Sequence, residues 1–382
     1  MHAHSRRGFL KEILGSAWVG ASVLEQAVLR AARARAQSAD APANLFDIDK
    51  VAEGVYGVIA RPAAQVNCNA AIFENSGDIL IVDSHSKASA VAALVAQIRK
   101  EISPKPIRYI VNTHFHWDHI QGNPAYKKIA PRADIISSTV TRNLMADLAA
   151  PRLKASLEQT GKAVETFQQK LAAAKTAKEK SYYERMVSET RGYLAEMRNF
   201  TPELPNITFC HHLIIHDKAH QLHLAFRGRG HTAGDIVIFC PQKKVIATGD
   251  LLHGFLPYLG DGYPLEWPRT LRSAGDMEFQ AVVGGHGGVQ RTRGRLGQMA
   301  AYIEELSEMV AKGKRAGQTV ERLQAAITPG SLKSLESGGY GRYVSENLVK
   351  YYGDYELYNP SEALAIGVKE NVADTFNTLE KT

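Results

Sequence analysis

The chain has 382 residues, of which 45% are hydrophobic and 22% charged; that balance supports a sizeable core and excludes a globally disordered chain. Six cations, Arg6, Arg7, Lys11, Arg30, Arg33 and Arg35, stand against Glu12 and Glu25 in the first 36 residues, so the formal net charge of +7 falls to about +3 without them. Such a weak excess does not indicate a nucleic-acid footprint, and no nucleic-acid partner is expected.

Residues 1–36 read as an address rather than as structure. Ser5-Arg6-Arg7-Gly8-Phe9-Leu10-Lys11 precedes a mildly apolar run from Ile13 to Leu29, which ends near the small-x-small pattern Ala34-Arg35-Ala36. The segment resembles a twin-arginine signal, so a periplasmic protein that folds before export is expected. No later stretch approaches the roughly 18 to 20 apolar residues that span a bilayer, and no stable membrane insertion is expected. Cys68, Cys210 and Cys240 fit neither a thiolate zinc pattern nor a dense disulfide framework, which leaves buried free thiols as the default.

Strands are expected at Gly54 to Ala60, Asn67 to Phe73 and Asp78 to Asp83, with Ser76-Gly77-Asp78 as a turn. Lys87 to Ile102 carries a helical rhythm through Val91, Leu94, Val95 and Ile98, and Ile107 to Val111 is a further strand. The segment from Thr139 to Phe200 is charged, Ala-rich and without strand signals. Leu153, Leu157, Thr160, Val164, Phe167 and Leu171 follow alternating steps of four and three, and Met186, Thr190, Tyr193, Met197 and Phe200 repeat the rhythm. This predicts a helical hairpin packed along heptad seams, able to serve as a lid, a homodimer arm or a side layer. A second strand set follows at Ile207 to Ile215, Gln221 to Phe226, Asp235 to Phe239, Lys244 to Thr248 and Phe279 to Val283. Leu296 to Ile327 is helical, with a seam through Met299, Ile303, Leu306, Met309 and Val310, and the tail beyond Pro329-Gly330 is tyrosine-rich. The expected organisation is a catalytic domain at 45–293 containing the 139–200 insertion, then a helical extension at 294–382.

The decisive segment is Asn112-Thr113-His114-Phe115-His116-Trp117-Asp118-His119, directly after a strand. In extended backbone alternate side chains share a face, so His114 and His116 can converge on one ion while Asp118 and His119 reach a second. Imidazole with carboxylate suits Zn²⁺, and also Fe or Mn. Further on stand His231 in Gly228-Arg229-Gly230-His231-Thr232-Ala233-Gly234-Asp235, Asp250 in Ala247-Thr248-Gly249-Asp250, and His286 in Gly284-Gly285-His286-Gly287. Each lies near a strand end and is flanked by glycine, which tolerates the close approach and positive φ of tight ligand loops.

Together with Asp83 in Val82-Asp83-Ser84, these elements form an ordered series, H-x-H-x-D-H, G-H-T-x-G, a strand-end aspartate and G-H-G, that resembles the metallo-β-lactamase superfamily over roughly Val51 to Gln290. The resemblance implies an α/β fold, a four-layer αβ/βα sandwich, here with a helical-hairpin insertion and a helical C-terminal extension. It implies that His114, His116 and His231 hold one metal and that Asp118, His119 and His286 hold another. Asp250 would bridge the two, and Asp83 would orient a ligand from behind. The cofactors would be two Zn²⁺, with Fe or Mn as alternatives. A hydroxide bridging the ions would attack an ester-like bond (lactone, thioester, carboxylic ester, sulfate ester or β-lactam), with Asp118 orienting the nucleophile. Trp117, His253, Tyr258, Tyr263 and Trp267 are candidates for the wall of a small-molecule pocket. His211, His212, His216, His220 and His223 are expected to scatter over both faces of a sheet and receive no metal. Two alternatives stand beside the hydrolase: a mononuclear iron sulfur dioxygenase of the same superfamily, and a non-catalytic periplasmic metal- or ligand-binding protein.

Overall fold

Parallel strands need long crossovers, whereas antiparallel ones need only a hairpin, and the chain uses the two modes in succession. In the computed structural model, which describes residues 45–62, 68–353 and 356–381, the elements begin with β1 (Phe46–Ala52), β2 (Val55–Ala60), β3 (Ala70–Glu74), β4 (Ile79–Val82), α1 (Ala88–Glu101), β5 (Ile107–Val111), α2 (Trp117–Ile120), α3 (Asn123–Ile129) and β6 (Asp134–Ser138). The hairpin helices α4 (Thr139–Ala173) and α5 (Ala177–Met197) follow. Next come β7 (Ile207–Phe209), β8 (His212–His216), β9 (Gln221–Phe226), β10 (Ile236–Cys240), β11 (Val245–Gly249), α6 (Trp267–Gly275) and β12 (Ala281–Gly284). The chain closes with α7 (Gly294–Arg315), α8 (Val320–Ala326), α9 (Lys333–Glu336), α10 (Tyr340–Tyr351) and α11 (Pro360–Thr378). Arg6, Arg7 and the rest of the leader lie outside the described residues.

One sheet has the order β1-β2-β3-β4-β5-β6-β7, the other β12-β11-β10-β9-β8. Strands β1 to β4 pair antiparallel and β4 to β7 parallel. In the second sheet β11 and β12 are parallel, and β8 to β11 antiparallel. The two sheets face each other across Phe73, Leu80, Val82, Val111, Leu222, Leu224, Ile236 and Val283. Behind the first sheet, Val91, Leu94, Val95 and Ile98 of α1 pack on Ile72, Ile79, Ile81 and Ile110. Behind the second, helices α6, α7, α10 and α11 cover Val237, Ile246 and Val282 through Leu271, Ile303, Leu306, Val344 and Val368. The layers therefore run helix, sheet, sheet, helix, the expected four-layer sandwich, and Leu45–Thr382 form one compact unit.

Three expectations need correction. The single strand expected from Ile207 to Ile215 is two strands: β7 pairs with β6 in the first sheet, and after Cys210-His211 β8 pairs with β9 in the second. Alternation specifies extended backbone but not which sheet receives it. Strands β1 and β6 went unmarked because only Phe46 of β1 is buried and β6 ends in two serines. The histidines of β8 and β9 are also less scattered than expected. His212, His216 and His223 share one face, with the His212 and His223 rings 5.4 Å apart, because cross-strand register aligns what sequence distance separates. Among the described residues no helix is long and apolar enough to cross a membrane.

The hairpin ranges agree closely with the expected helices. Helix α5 buries Met186, Thr190, Tyr193 and Met197, whereas α4 buries only Thr141, Met145 and Val164 fully. Near its start α4 packs Met145, Leu144 and Leu148 against Phe115 and Ile120 of the metal motif. The hairpin is thereby seated on the segment that carries the chemistry.

Candidate metal centre

The C-terminal ends of the parallel strands supply most of the site. Asp83 follows β4, His114 and His116 follow β5, Asp250 follows β11 and His286 follows β12. His116 stands at the N-cap of α2, so the short helix presents Asp118 and His119 in its only turn. Asn69 links the two sheets here: its side chain donates to Gly284 O at 2.9 Å and to Gly287 O at 2.7 Å. Gly249 takes φ 50°, and a β-carbon there would lie 2.2 Å from Thr113 Oγ1. Glycine is what allows Asp250 to turn inward.

Two adjoining groups of donor atoms result. His114, His116, His231 and Asp250 form one, and Asp118, His119 and His286 the other, with the ligand atoms of each group within 4.8 Å of one another. His116 Nδ1 is 2.8 Å from His231 Nε2, and His231 Nε2 is 3.5 Å from Asp250 Oδ2. In the second group His286 Nε2 lies 3.3 Å from Asp118 Oδ2 and 3.3 Å from Asp250 Oδ2. His119 Nε2 lies 3.4 Å from Asp250 Oδ1. The Asp250 carboxylate thus reaches both groups.

The outer nitrogens of four histidines are engaged. His119 Nδ1 donates to Asp83 Oδ2 at 2.8 Å, and His114 Nδ1 meets Thr113 Oγ1 at 3.0 Å. Thr113 in turn gives its N–H to Asp83 Oδ1 at 2.8 Å. His116 Nε2 donates to Asp261 Oδ2 at 2.8 Å, and His231 Nδ1 to Tyr258 O at 3.2 Å. With those nitrogens protonated, the inward ones carry lone pairs. His114 Nε2, His119 Nε2 and Asp250 Oδ1 are buried and make no hydrogen bond. Buried polar atoms are normally satisfied, and unpartnered donor atoms converging on a shared carboxylate fit metal ions.

Electrostatics agree. Burial holds His114 and His231 well below the usual imidazole range, as neutral ligands. Burial opposes charge on His286 as well, but the Asp250 and Asp118 carboxylates outweigh it and lift it to about 9. Burial likewise works against ionised Asp118 and Asp250, yet the nearby histidines hold both carboxyls below their ordinary range. The site therefore gathers anionic charge that draws a proton onto His286, and a divalent cation satisfies the same charge by displacing it. A third group, Cys68 with Asp83 and His119, is a weaker ligand set, since burial pushes the Cys68 thiol up to about 12.

A cavity of about 590 Å³ opens over these atoms, within the range of small-molecule sites. Trp117, His253 and Tyr258 line it, together with Asp118, Asp250 and His286. Tyr263 and Trp267 do not. Trp267 is fully buried and donates from Nε1 to Leu251 O at 3.0 Å, while Tyr263 lies beneath the Arg229 guanidinium. Both anchor the loop after Asp250 instead of facing substrate. Sequence reasoning missed Arg152, Phe255, Asp261, Leu348, Tyr352, Asn371 and Asp374, all in the cavity wall. Asp261 stood one loop from Asp250 in a Gly-Asp-Gly turn, a signal that could have been read. The α11 residues carried none.

A family model described as the metallo-beta-lactamase superfamily matches residues 63–286, more than half of the chain. The chain belongs to the metallo-β-lactamase superfamily. Membership implies a metal-dependent hydrolase. Among solved structures, the chain is similar to a metallo-beta-lactamase from Pontibacter korlensis, with a TM-score of 0.50 and 16% identity over 68% of this chain and 99% of that one. It also aligns with the DIM-1 metallo-beta-lactamase, with a TM-score of 0.48 and 18% identity over 68% of this chain and 97% of that one. At these identities the first likeness speaks to the superfamily fold alone.

Proposed function

We propose that the protein is an exported hydrolase that holds two zinc ions and cleaves an ester-like bond of a small molecule: a lactone, thioester, carboxylic ester, sulfate ester or β-lactam. The observation that carries this reading is the pair of adjoining donor groups sharing Asp250, with unpartnered buried nitrogens turned toward them. His114, His116 and His231 would hold one ion and Asp118, His119 and His286 the other, with Asp250 between. When bound, two such cations lower the pKa of water from 15.7 to about 7 and draw charge from the scissile oxygen.

The remaining tasks fall to the chain itself. Asp83 fixes the His119 ring, and through Thr113 the ring of His114. Asp118 faces the cavity, where its carboxylate can orient the attacking water and take its proton. His253 accepts the Phe255 N–H on Nδ1 at 3.0 Å, and burial lowers its pKa to about 4. It is a neutral hydrogen-bond donor to substrate rather than a proton source. Trp117 and Tyr258, 39% and 50% exposed, offer apolar surface at the mouth.

The test is turnover of chromogenic esters, thioesters, lactones, sulfates and β-lactams by the mature chain, before and after chelation. Hydrolysis of one class, lost on chelation and restored by Zn²⁺, is the expected result. One iron per chain with O₂ consumption and no hydrolysis would replace this reading with the dioxygenase. Export is tested separately by changing Arg6 and Arg7 to Lys: the precursor should accumulate in the cytoplasm, and undiminished periplasmic delivery would remove the twin-arginine proposal.

A further inference from the structure

Asp261 meets His116 from outside the two donor groups on the cavity side, and the hairpin helix α4 supplies its counter-charge. Arg152 Nη1 donates to Asp261 Oδ2 at 2.6 Å and Nη2 to Oδ1 at 2.8 Å, a two-pronged pair. Asp261 Oδ2 accepts in turn from His116 Nε2 at 2.8 Å, leaving His116 Nδ1 toward His231. The Arg152 guanidinium also lies over the Phe115 ring, 4.9 Å from its centroid, so the residue beside His116 in sequence supports the arginine that orients it. Lys381 holds the same loop from the C-terminus, donating from Nζ to Asp261 O at 2.6 Å.

We propose that Arg152 is a positioning residue for the metal centre: it fixes Asp261, which fixes the His116 ring with Nδ1 turned into the first donor group. The hairpin insertion then completes the site rather than decorating it. The Asp261 side chain is only 14% exposed, and the guanidinium grips both its oxygens, so without Arg152 the carboxylate is free to turn toward cavity water and leave its line with His116. Arginine suits the task because its planar fork fixes both carboxylate oxygens at once, whereas a lysine ammonium would act as a single point charge. The second donor group depends on Asp83 and not on this chain of contacts, so the effect should be confined to one ion. Near half the Arg152 side chain is exposed, at 47%, and its replacement should leave the fold intact.

This inference rests on the two-ion reading, and the experiment separates the two. Apo-protein of the full mature chain is titrated with Zn²⁺ against a chromogenic chelator for the wild type, Arg152→Ala, Arg152→Lys, Asp261→Asn and the double variant Arg152→Ala/Asp261→Asn, with Co²⁺ absorption reporting ligand geometry. Wild type should bind two ions. Arg152→Ala should weaken one of them by about 10 to 100-fold, the range for partners that orient a ligand from behind, and leave the other unchanged. Arg152→Lys should recover part of the loss, and the double variant should be no worse than the more damaging single change. Two ions bound with wild-type affinity by Arg152→Ala, or both ions weakened equally, would overturn the positioning role. A wild type that binds no pair of ions would instead overturn the two-ion reading itself.

Discussion

At Gly285 a β-carbon would lie 2.0 Å from Asp250 Oδ1 and 2.9 Å from His119 Cε1. The carboxylate that reaches both donor groups has no room to retreat, so Gly285→Ala should lose metal before it loses fold. Elemental analysis of the variant should find less than wild-type metal beside an unchanged far-ultraviolet spectrum; full metal content would show that the carboxylate is not held here. Asp83→Ala removes the acceptor of His119 Nδ1 and of Thr113 N–H. It should weaken metal binding by about 10 to 100-fold, measured by chelator competition, with unaltered affinity as the contrary result. The residues gathered at the site were legible because His114, His116, Asp118 and His119 are packed within six positions and His231, Asp250 and His286 carry glycine signatures. Arg152 gave no such signal: it is one cation among many on an exposed helix, and only the folded hairpin brings it to Asp261.

Helix α1 has no side-chain cap of its own at Lys87. Instead Glu196, on the hairpin helix α5, accepts from Ser89 N–H at 2.9 Å and from Ser89 Oγ at 2.6 Å, placing negative charge at the positive end of α1. Glu196→Ala should cost about 1 kcal/mol, the usual worth of such a cap, and lower the melting temperature by about 2 °C for a chain of this size. Thermal unfolding at neutral pH checks this, and an unmoved transition would contradict it. The hairpin itself was legible from its four-three spacing, because a seam between two helices needs only local periodicity. Its docking was not, since Glu196–Ser89 and Tyr193–Gln121 join polar groups far apart in sequence. The extension was read as helices, but apolar rhythm reports only the face turned to the core, and the Asn371 and Asp374 cavity contacts lie beside that seam on α11.

Across the whole molecule the two sheets are tied at the end of their turns by Asp217. Its carboxylate accepts Ser76 N–H at 2.8 Å, Ser76 Oγ at 2.6 Å and Ala219 N–H at 2.8 Å. Burial alone would raise this carboxyl, but those donors outweigh it and lower it from 3.8 to about 2. A depressed folded-state pKa means stability that is fully present above the unfolded value of 3.8 and is lost as pH falls toward 2. The stability gap between wild type and Asp217→Asn should therefore be widest above pH 5 and shrink below pH 4, as followed by denaturant unfolding. A pH-independent gap would show that the carboxylate's charge plays no part. The layered architecture was legible from strand order and the motif series, whereas the switch of sheets between β7 and β8 was not, because pairing partners are chosen by tertiary packing.

The Asp250 carboxylate stands between the two donor groups, where one carboxylate could serve two metal ions. Elemental analysis of the purified protein should find about two divalent ions per chain, falling together in Asp250→Ala, because that carboxylate reaches both donor groups. A single ion per chain in the wild type, or two ions retained by Asp250→Ala, would contradict this.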